Sequence, residues 1–157
     1  MKPEIGLTSK NAEAVCRILN TLLSDEYVLY TKTRNYHWNV TGQQFDELHK
    51  FFQLQYEALN VIVDDAAERA RSLGGISFGC LAEFLKHTRI KETAGEELKA
   101  KEMISNLLSD HESIIRSLRM DLEACANKYH DMGTSDFLTG LMEQHEKMAW
   151  MLRSFLS

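Results

Sequence analysis

FDELHKFFQLQYEALNVIVDDAAERARSLGG, residues 45–75, decides how this chain is read. Phe45, Leu48, Phe52, Tyr56, Leu59, Val63, Ala66, Ala70 and Leu73 recur mostly at steps of three and four, which collects apolar side chains on one face of an α-helix. Gly74 and Gly75 close the pattern, as glycine does just past a helix end. Beside this seam runs a polar stripe on the same period: Asp46, His49, Gln53, Glu57, Asn60, Asp64 and Glu68. Imidazoles and carboxylates are metal ligands, yet at ~1.5 Å of rise per residue His49 and Asp64 stand ~22 Å apart along one helix, too far to share an ion. A two-fold axis near Tyr56 or Glu57 would set Asp64 and Glu68 of an antiparallel copy opposite His49. The spacing predicts a homodimer with two metal sites, each assembled from both chains. The plain alternative is the solvated face of an amphipathic helix.

Three further helices surround this one. From about Asn11 to Tyr36, Val15, Ile18, Leu19, Leu22, Leu23, Leu29 and Tyr30 form an apolar face, with Ser9 or Asn11 as the expected N-cap. A third helix is expected from about Gly95 to Lys128, marked by Leu98, Ile104, Leu107, Leu108, His111, Ile114, Leu118, Leu122 and Cys125. A fourth runs from Thr134 to about Phe155 on Leu138, Leu141, His145, Met148 and Leu152. Residues 76–92 are long for a hairpin, and the apolar run from Cys80 to Leu85 predicts a short helix within them. Pro3 is the only proline, and no alternating pattern predicts a strand. The expected fold is all-α, a four-helix bundle with a short helix in the long connection between helices two and three, which permits a crossover. Residues 1–157 read as a single domain, with 1–10 a short N-terminal tail.

At 157 residues and 44% hydrophobic content the chain can bury a core without staples. A formal charge of −5 disfavours nucleic acid as a general partner, because such affinity comes mainly from cations on phosphates. Cys16, Cys80 and Cys125 are odd in number and widely spaced, indicating reduced thiols rather than a disulfide framework or zinc knuckle. No apolar run is long enough to span a membrane and residues 1–11 lack a secretory h-region, so a cytoplasmic location is expected. Nucleotide-binding glycine loops, nucleophile elbows and HExxH motifs are absent.

His37 precedes the turn that opens helix two and can converge with His49 at one end of the bundle. Two imidazoles with two carboxylates suit iron, manganese or zinc. Asp64 and Glu68 are one turn apart; unpaired, they repel by only about 0.2–0.5 kcal/mol, and Glu68 could instead pair with Arg71. His111 and His145 lie in apolar stripes and read as core histidines. His87 and His130 read as exposed, and Met142, Met148 and Met151 as core filler.

Tyr36-His37-Trp38-Asn39-Val40-Thr41-Gly42, then Phe45, Leu48-His49, Tyr56, Asp64, Ala67-Glu68-Arg69 and Leu73-Gly74-Gly75, closely resembles the Dps family, the DNA-binding proteins from starved cells of the ferritin-like superfamily. Gly133-Thr134-Ser135-Asp136 and Glu146 to Leu152 resemble that family's last helix. The resemblance spans nearly the whole chain. It implies a ferritin-like bundle assembled as a hollow homododecamer that oxidises Fe(II), preferably with hydrogen peroxide, stores the ferric product and protects against oxidative damage. The ferroxidase centre, mono-iron or di-iron, is implied at a dimer interface, with His37 and His49 from one subunit and Asp64 and Glu68 from its neighbour. Trp38 is implied as an electron donor, with an interface aromatic as the alternative.

One position departs from the family. A carboxylate is usual one turn after the second histidine, and here Gln53 stands there, offering a carbonyl oxygen without charge; a second iron should bind more weakly. Asp46 is a candidate substitute. Asp131 and Asp136 resemble the family's pore region, or else an ordinary acidic helix start. Compaction of DNA is the rival function, but only Lys2 and Lys10 lie in the first ten residues, so DNA binding is expected to be weak or absent. A cage with a centre impaired by Gln53 is the third reading.

Overall fold

A computed structural model describes residues 3–92 and 94–157. Five helices account for its regular structure: α1 (Ser9–Asn39), α2 (Phe45–Ser72), α3 (Leu81–His87), α4 (Ala100–Glu123), which runs into a π-helical turn (Ala124–Lys128), and α5 (Met132–Ser154). No strand occurs among the described residues. Lys2, which bears on the DNA question, lies outside them.

α1 begins where Thr8 caps it: the Asn11 amide donates to Thr8 Oγ1 at 3.2 Å, so the cap is neither Ser9 nor Asn11, the two expected, but the residue before them. α2 ends before Gly74, whose φ of +83° glycine tolerates without cost. Gly75 is needed for a different reason, since a Cβ there would drive into Cys16 Sγ. α4 starts at Ala100 rather than at Gly95, because Gly95 takes φ of +78° and Glu102 Oε2 accepts the Lys99 amide at 2.8 Å, fixing the helix start five residues later. α3 is the expected short helix, two turns long.

α1 packs along α2 and α4 along α5, and the two hairpins close through α1–α4 and α2–α5 contacts. Direction follows from the polar ties. Lys32 reaches Asp110 at 2.6 Å and Asn106 donates to Tyr36 Oη at 3.2 Å, so α4 begins where α1 ends. α2 begins at that same end, so α2 and α4 run parallel. The connection must therefore climb the bundle, and it does so along α1: Asn20 holds Ile76 and Phe78, Asp25 holds Thr88 and Arg89, and Lys32 Nζ donates to Lys91 O. This crossover is the ferritin-like topology.

The core is aliphatic and aromatic: Leu19, Leu22, Leu29, Leu48, Phe52, Leu59, Leu107, Ile114, Leu118, Leu138 and Leu152 are each fully buried. Among the described residues, no helix is long and apolar enough to cross a membrane.

Candidate metal centre

His37 sits in the last turn of α1 and His49 in the second turn of α2. The five residues between the helices fold the chain back so that each imidazole reaches the other's backbone. His37 Nδ1 lies 2.7 Å from His49 O, and His49 Nδ1 lies 2.9 Å from His37 O. A carbonyl only accepts, so both Nδ1 atoms carry a proton, which in a neutral imidazole leaves Nε2 as the lone-pair atom that can ligate a metal. The rings stack at 3.8 Å between centroids and 22° between planes. Tyr56 meets His37 edge-on at 5.2 Å, and Phe45 stacks on His49 at 5.2 Å. His37 is buried and His49 half-buried.

The rest of the stripe is turned outward on α2. Asp64 and Glu68 are exposed, and neither makes a hydrogen bond or ion pair with another described residue. Arg71 donates to Gly75 O at 2.7 Å, so it is not the partner of Glu68. Gln53 is half-buried and its Nε2 donates to Glu57 Oε1 at 2.8 Å, leaving the Gln53 carbonyl oxygen available. Asp46 is exposed and held by Lys50 at 2.7 Å, a cation that offsets its charge and disfavours it as the substitute ligand. Among the described residues, no three His, Cys, Asp or Glu side chains of this one chain are placed to hold a metal ion. His37 and His49 bring two imidazoles together, with no carboxylate of the same chain beside them among the described residues.

Apolar side chains stand exposed beside the stripe: Trp38 at 62%, Leu54 at 65% and Val61 at 58%, with Leu81 and Leu85 of α3. Arg34 lies over three rings, with Cζ 4.9 Å from the centroid of Trp38, 5.4 Å from Tyr30 and 5.5 Å from Tyr56. Arg34 Nη1 also donates to Tyr30 Oη at 2.6 Å.

Away from the stripe, His111 and His145 are fully buried, as their apolar stripes predict, but with a partner that sequence reasoning missed. His145 Nε2 is 2.9 Å from Glu26 Oε1, and the two Nδ1 atoms of His145 and His111 are 2.9 Å apart. Glu26 is fully buried too, and its Oε2 and His111 Nε2 have no hydrogen-bond partner among the described residues. Burial holds the His111 imidazole well below its ordinary pKa, and neighbouring His145 adds to this. No sequence signal marks Glu26, because Asp25-Glu26 reads as a charged pair on an amphipathic helix.

Asp131 is also buried. It caps α5 by accepting the Thr134 amide at 2.9 Å and pairs with Arg69 at 3.2 Å, which gives it an N-cap role within the chain; Asp136 is exposed.

Comparison with known proteins agrees with this architecture. A family model described as a ferritin-like domain matches residues 16–157. A low temperature-induced protein of Nostoc sp. is 47% identical over 152 residues, covering 97% of this chain and 85% of the relative. DNA protection during starvation protein 2 of Bacillus anthracis is 37% identical over 143 residues, 91% of this chain and 97% of the relative. A Dps protein from Vibrio cholerae O1, described as a member of a broad superfamily of ferritin-like diiron-carboxylate proteins, superposes with a TM-score of 0.93 at 31% identity, covering 100% of this chain and 98% of that one. DpsC from Streptomyces coelicolor superposes with a TM-score of 0.95 at 27% identity, covering 100% and 91%. The crossed bundle and these likenesses over nearly its full length place this chain in the Dps family of ferritin-like proteins.

Proposed function

We propose that this protein oxidises Fe(II), with hydrogen peroxide as the preferred oxidant, and stores the ferric product inside a cage of its own copies, so keeping iron and peroxide from generating radicals. The observation that carries the reading is the reciprocal His37–His49 pair, in which both Nδ1 atoms are engaged by backbone carbonyls so that each ring offers Nε2 as its ligand atom. Two chains complete the centre: these imidazoles from one subunit, and the exposed, unpaired Asp64 and Glu68 carboxylates of its partner. The exposed Trp38, Leu54 and Val61 supply apolar area for that two-fold contact. Family membership supports a dodecamer as the form of that cage, and the free thiols of Cys16, Cys80 and Cys125 suit a cytoplasmic protein.

Two imidazoles and two carboxylates give Fe(II) a borderline-to-hard donor set and cancel its charge. The carboxylates favour Fe(III) over Fe(II), which drives electron loss to peroxide. Peroxide needs two electrons. Gln53 brings no charge to the place where a second iron would sit, so one tight position per centre is expected, with a weaker second. Glu57, whose Oε1 accepts from Gln53, lies further along the stripe where ferric product can nucleate.

Stopped-flow oxidation of Fe(II) by peroxide under anaerobic conditions tests this, comparing the protein, His49→Ala and a protein-free control, with hydroxyl-radical trapping in parallel. Fast oxidation without trapped radical, lost in His49→Ala, is the expected result. Rates matching the protein-free control would refute it and leave a metal-binding cage with an impaired centre.

A further inference from the structure

We propose that Tyr56 delivers the second electron that peroxide reduction requires, and that Arg34 is the positioning residue which sets how easily that electron leaves and returns. This inference rests on the ferroxidase reading above. Its ground is the aromatic cluster behind His37. Tyr56 meets the His37 imidazole edge-on at 5.2 Å, and Tyr30 lies 6.1 Å from Tyr56 in the same edge-on manner. Tyr27 lies 6.0 Å from Tyr30, extending the row along α1 away from the metal ligands.

The cluster is not uniform, and the differences single out Tyr56. A cation over an aromatic face lowers the energy of the π electrons and makes their removal harder. Arg34 is closest to Trp38, at 4.9 Å against 5.5 Å for Tyr56. As sequence neighbours in one helix, His37 and Trp38 point about 100° apart. Tyr30 carries the Arg34 cation at 5.4 Å and also accepts the guanidinium hydrogen bond at 2.6 Å on its phenol oxygen, which further resists oxidation. Tyr56 is half-buried, in contact with a ligand-bearing imidazole and the least restrained of the three.

The step balances. Fe(II) gives one electron to hydrogen peroxide, and Tyr56 gives one electron and its phenolic proton. With one further proton from solvent the O–O bond breaks to two waters, leaving Fe(III) and a neutral tyrosyl radical. A second Fe(II) then gives one electron to the radical, and a solvent proton restores the phenol. The sum is two Fe(II) and one peroxide consumed with two protons, giving two Fe(III) and two waters, and no hydroxyl radical is released. The Arg34 cation makes the radical the more eager to be reduced, so it returns quickly once the next Fe(II) arrives.

The test is freeze-quench EPR on the assembled protein loaded with one Fe(II) per centre and mixed with excess peroxide, with and without ring-deuterated tyrosine. The expected signal is a tyrosyl radical that narrows on tyrosine deuteration, is lost in Tyr56→Phe and persists in Trp38→Phe, while Tyr56→Phe releases trapped hydroxyl radical. Arg34→Met should lengthen the lifetime of the signal after a second Fe(II) is added, a change that loss of packing alone would not produce. Rapid Fe(II) oxidation with no organic radical, with one that responds to deuterated tryptophan instead, or with a tyrosyl signal that survives Tyr56→Phe, would overturn the assignment and leave the ferroxidase reading standing. Oxidation no faster than the protein-free control would overturn both.

Discussion

Replacing His145 with leucine should destabilise the protein far more than replacing the glutamate it touches. Glu26 is fully buried, and among the described residues the single polar contact of its carboxyl group is His145 Nε2, at 2.9 Å. With the pair charged, removing one partner costs about 3–5 kcal/mol, because the remaining charge keeps its desolvation penalty. His111 Nδ1 loses its partner as well, at about 1–3 kcal/mol, and leucine recovers some of this through apolar burial at about 1.5–3 kcal/mol. The net for His145→Leu is about 4 kcal/mol, which for a domain of this size lowers Tm by roughly 8–16 °C at the usual 2–4 °C per kcal/mol. Glu26→Leu removes the charge itself and strands only His145 Nε2, so about 1–3 kcal/mol is expected. The double variant should lose much less than the sum of the two. Scanning calorimetry at one fixed protein concentration measures this, since assembly makes Tm concentration-dependent. Equal losses in the two single variants, or a His145→Leu shift below about 3 °C, would refute the argument that an unpaired buried carboxylate dominates.

Gln53→Glu should strengthen the second iron position and raise the rate of peroxide-dependent oxidation; an unchanged rate in stopped flow would show that Gln53 is not limiting. Stability should depend on pH through His111, whose folded pKa is depressed. Below the unfolded value of about 6.5 the unfolded chain binds a proton that the folded one refuses, so stability is complete above that pH and falls as pH drops beneath it. Denaturant midpoints between about pH 5 and 7.5 should slope upward with pH, and His111→Phe should flatten the slope. Duplex DNA should not be retained in a gel shift at physiological salt, given a net charge of −5; a persistent shift would sink that expectation.

Much of the fold was legible because apolar period survives packing. Leu48, Phe52, Leu59, Ala66, Ala70 and Leu73 of the quoted seam are buried as expected, whereas Phe45 stays exposed at the rim because it stacks on His49. The start of α4 was placed too early because Leu98 continues the period, while the capping carboxylate of Glu102 decides where the helix begins. His37 and His49 were legible as a pair from spacing alone. Their mutual anchoring was not, since it depends on two backbone carbonyls that any residue would supply. Glu26 and Asp131 were unreadable for a related reason: a carboxylate in a polar run looks solvated until helices distant in sequence close over it.

The mutual anchoring of His37 and His49 has an entropic side. Each ring is tethered by the other's peptide group, so the rotamer freedom that a metal ligand ordinarily surrenders on binding, about 0.5–1.5 kcal/mol per side chain, is given up during folding. The exposed Asp64 and Glu68 retain theirs. In the proposed centre the two imidazoles would act as a fixed template and the two exposed carboxylates as the adjustable half. A ligand set divided in this way can follow the change in bond lengths as iron alters its charge, with the adjustment confined to the carboxylates.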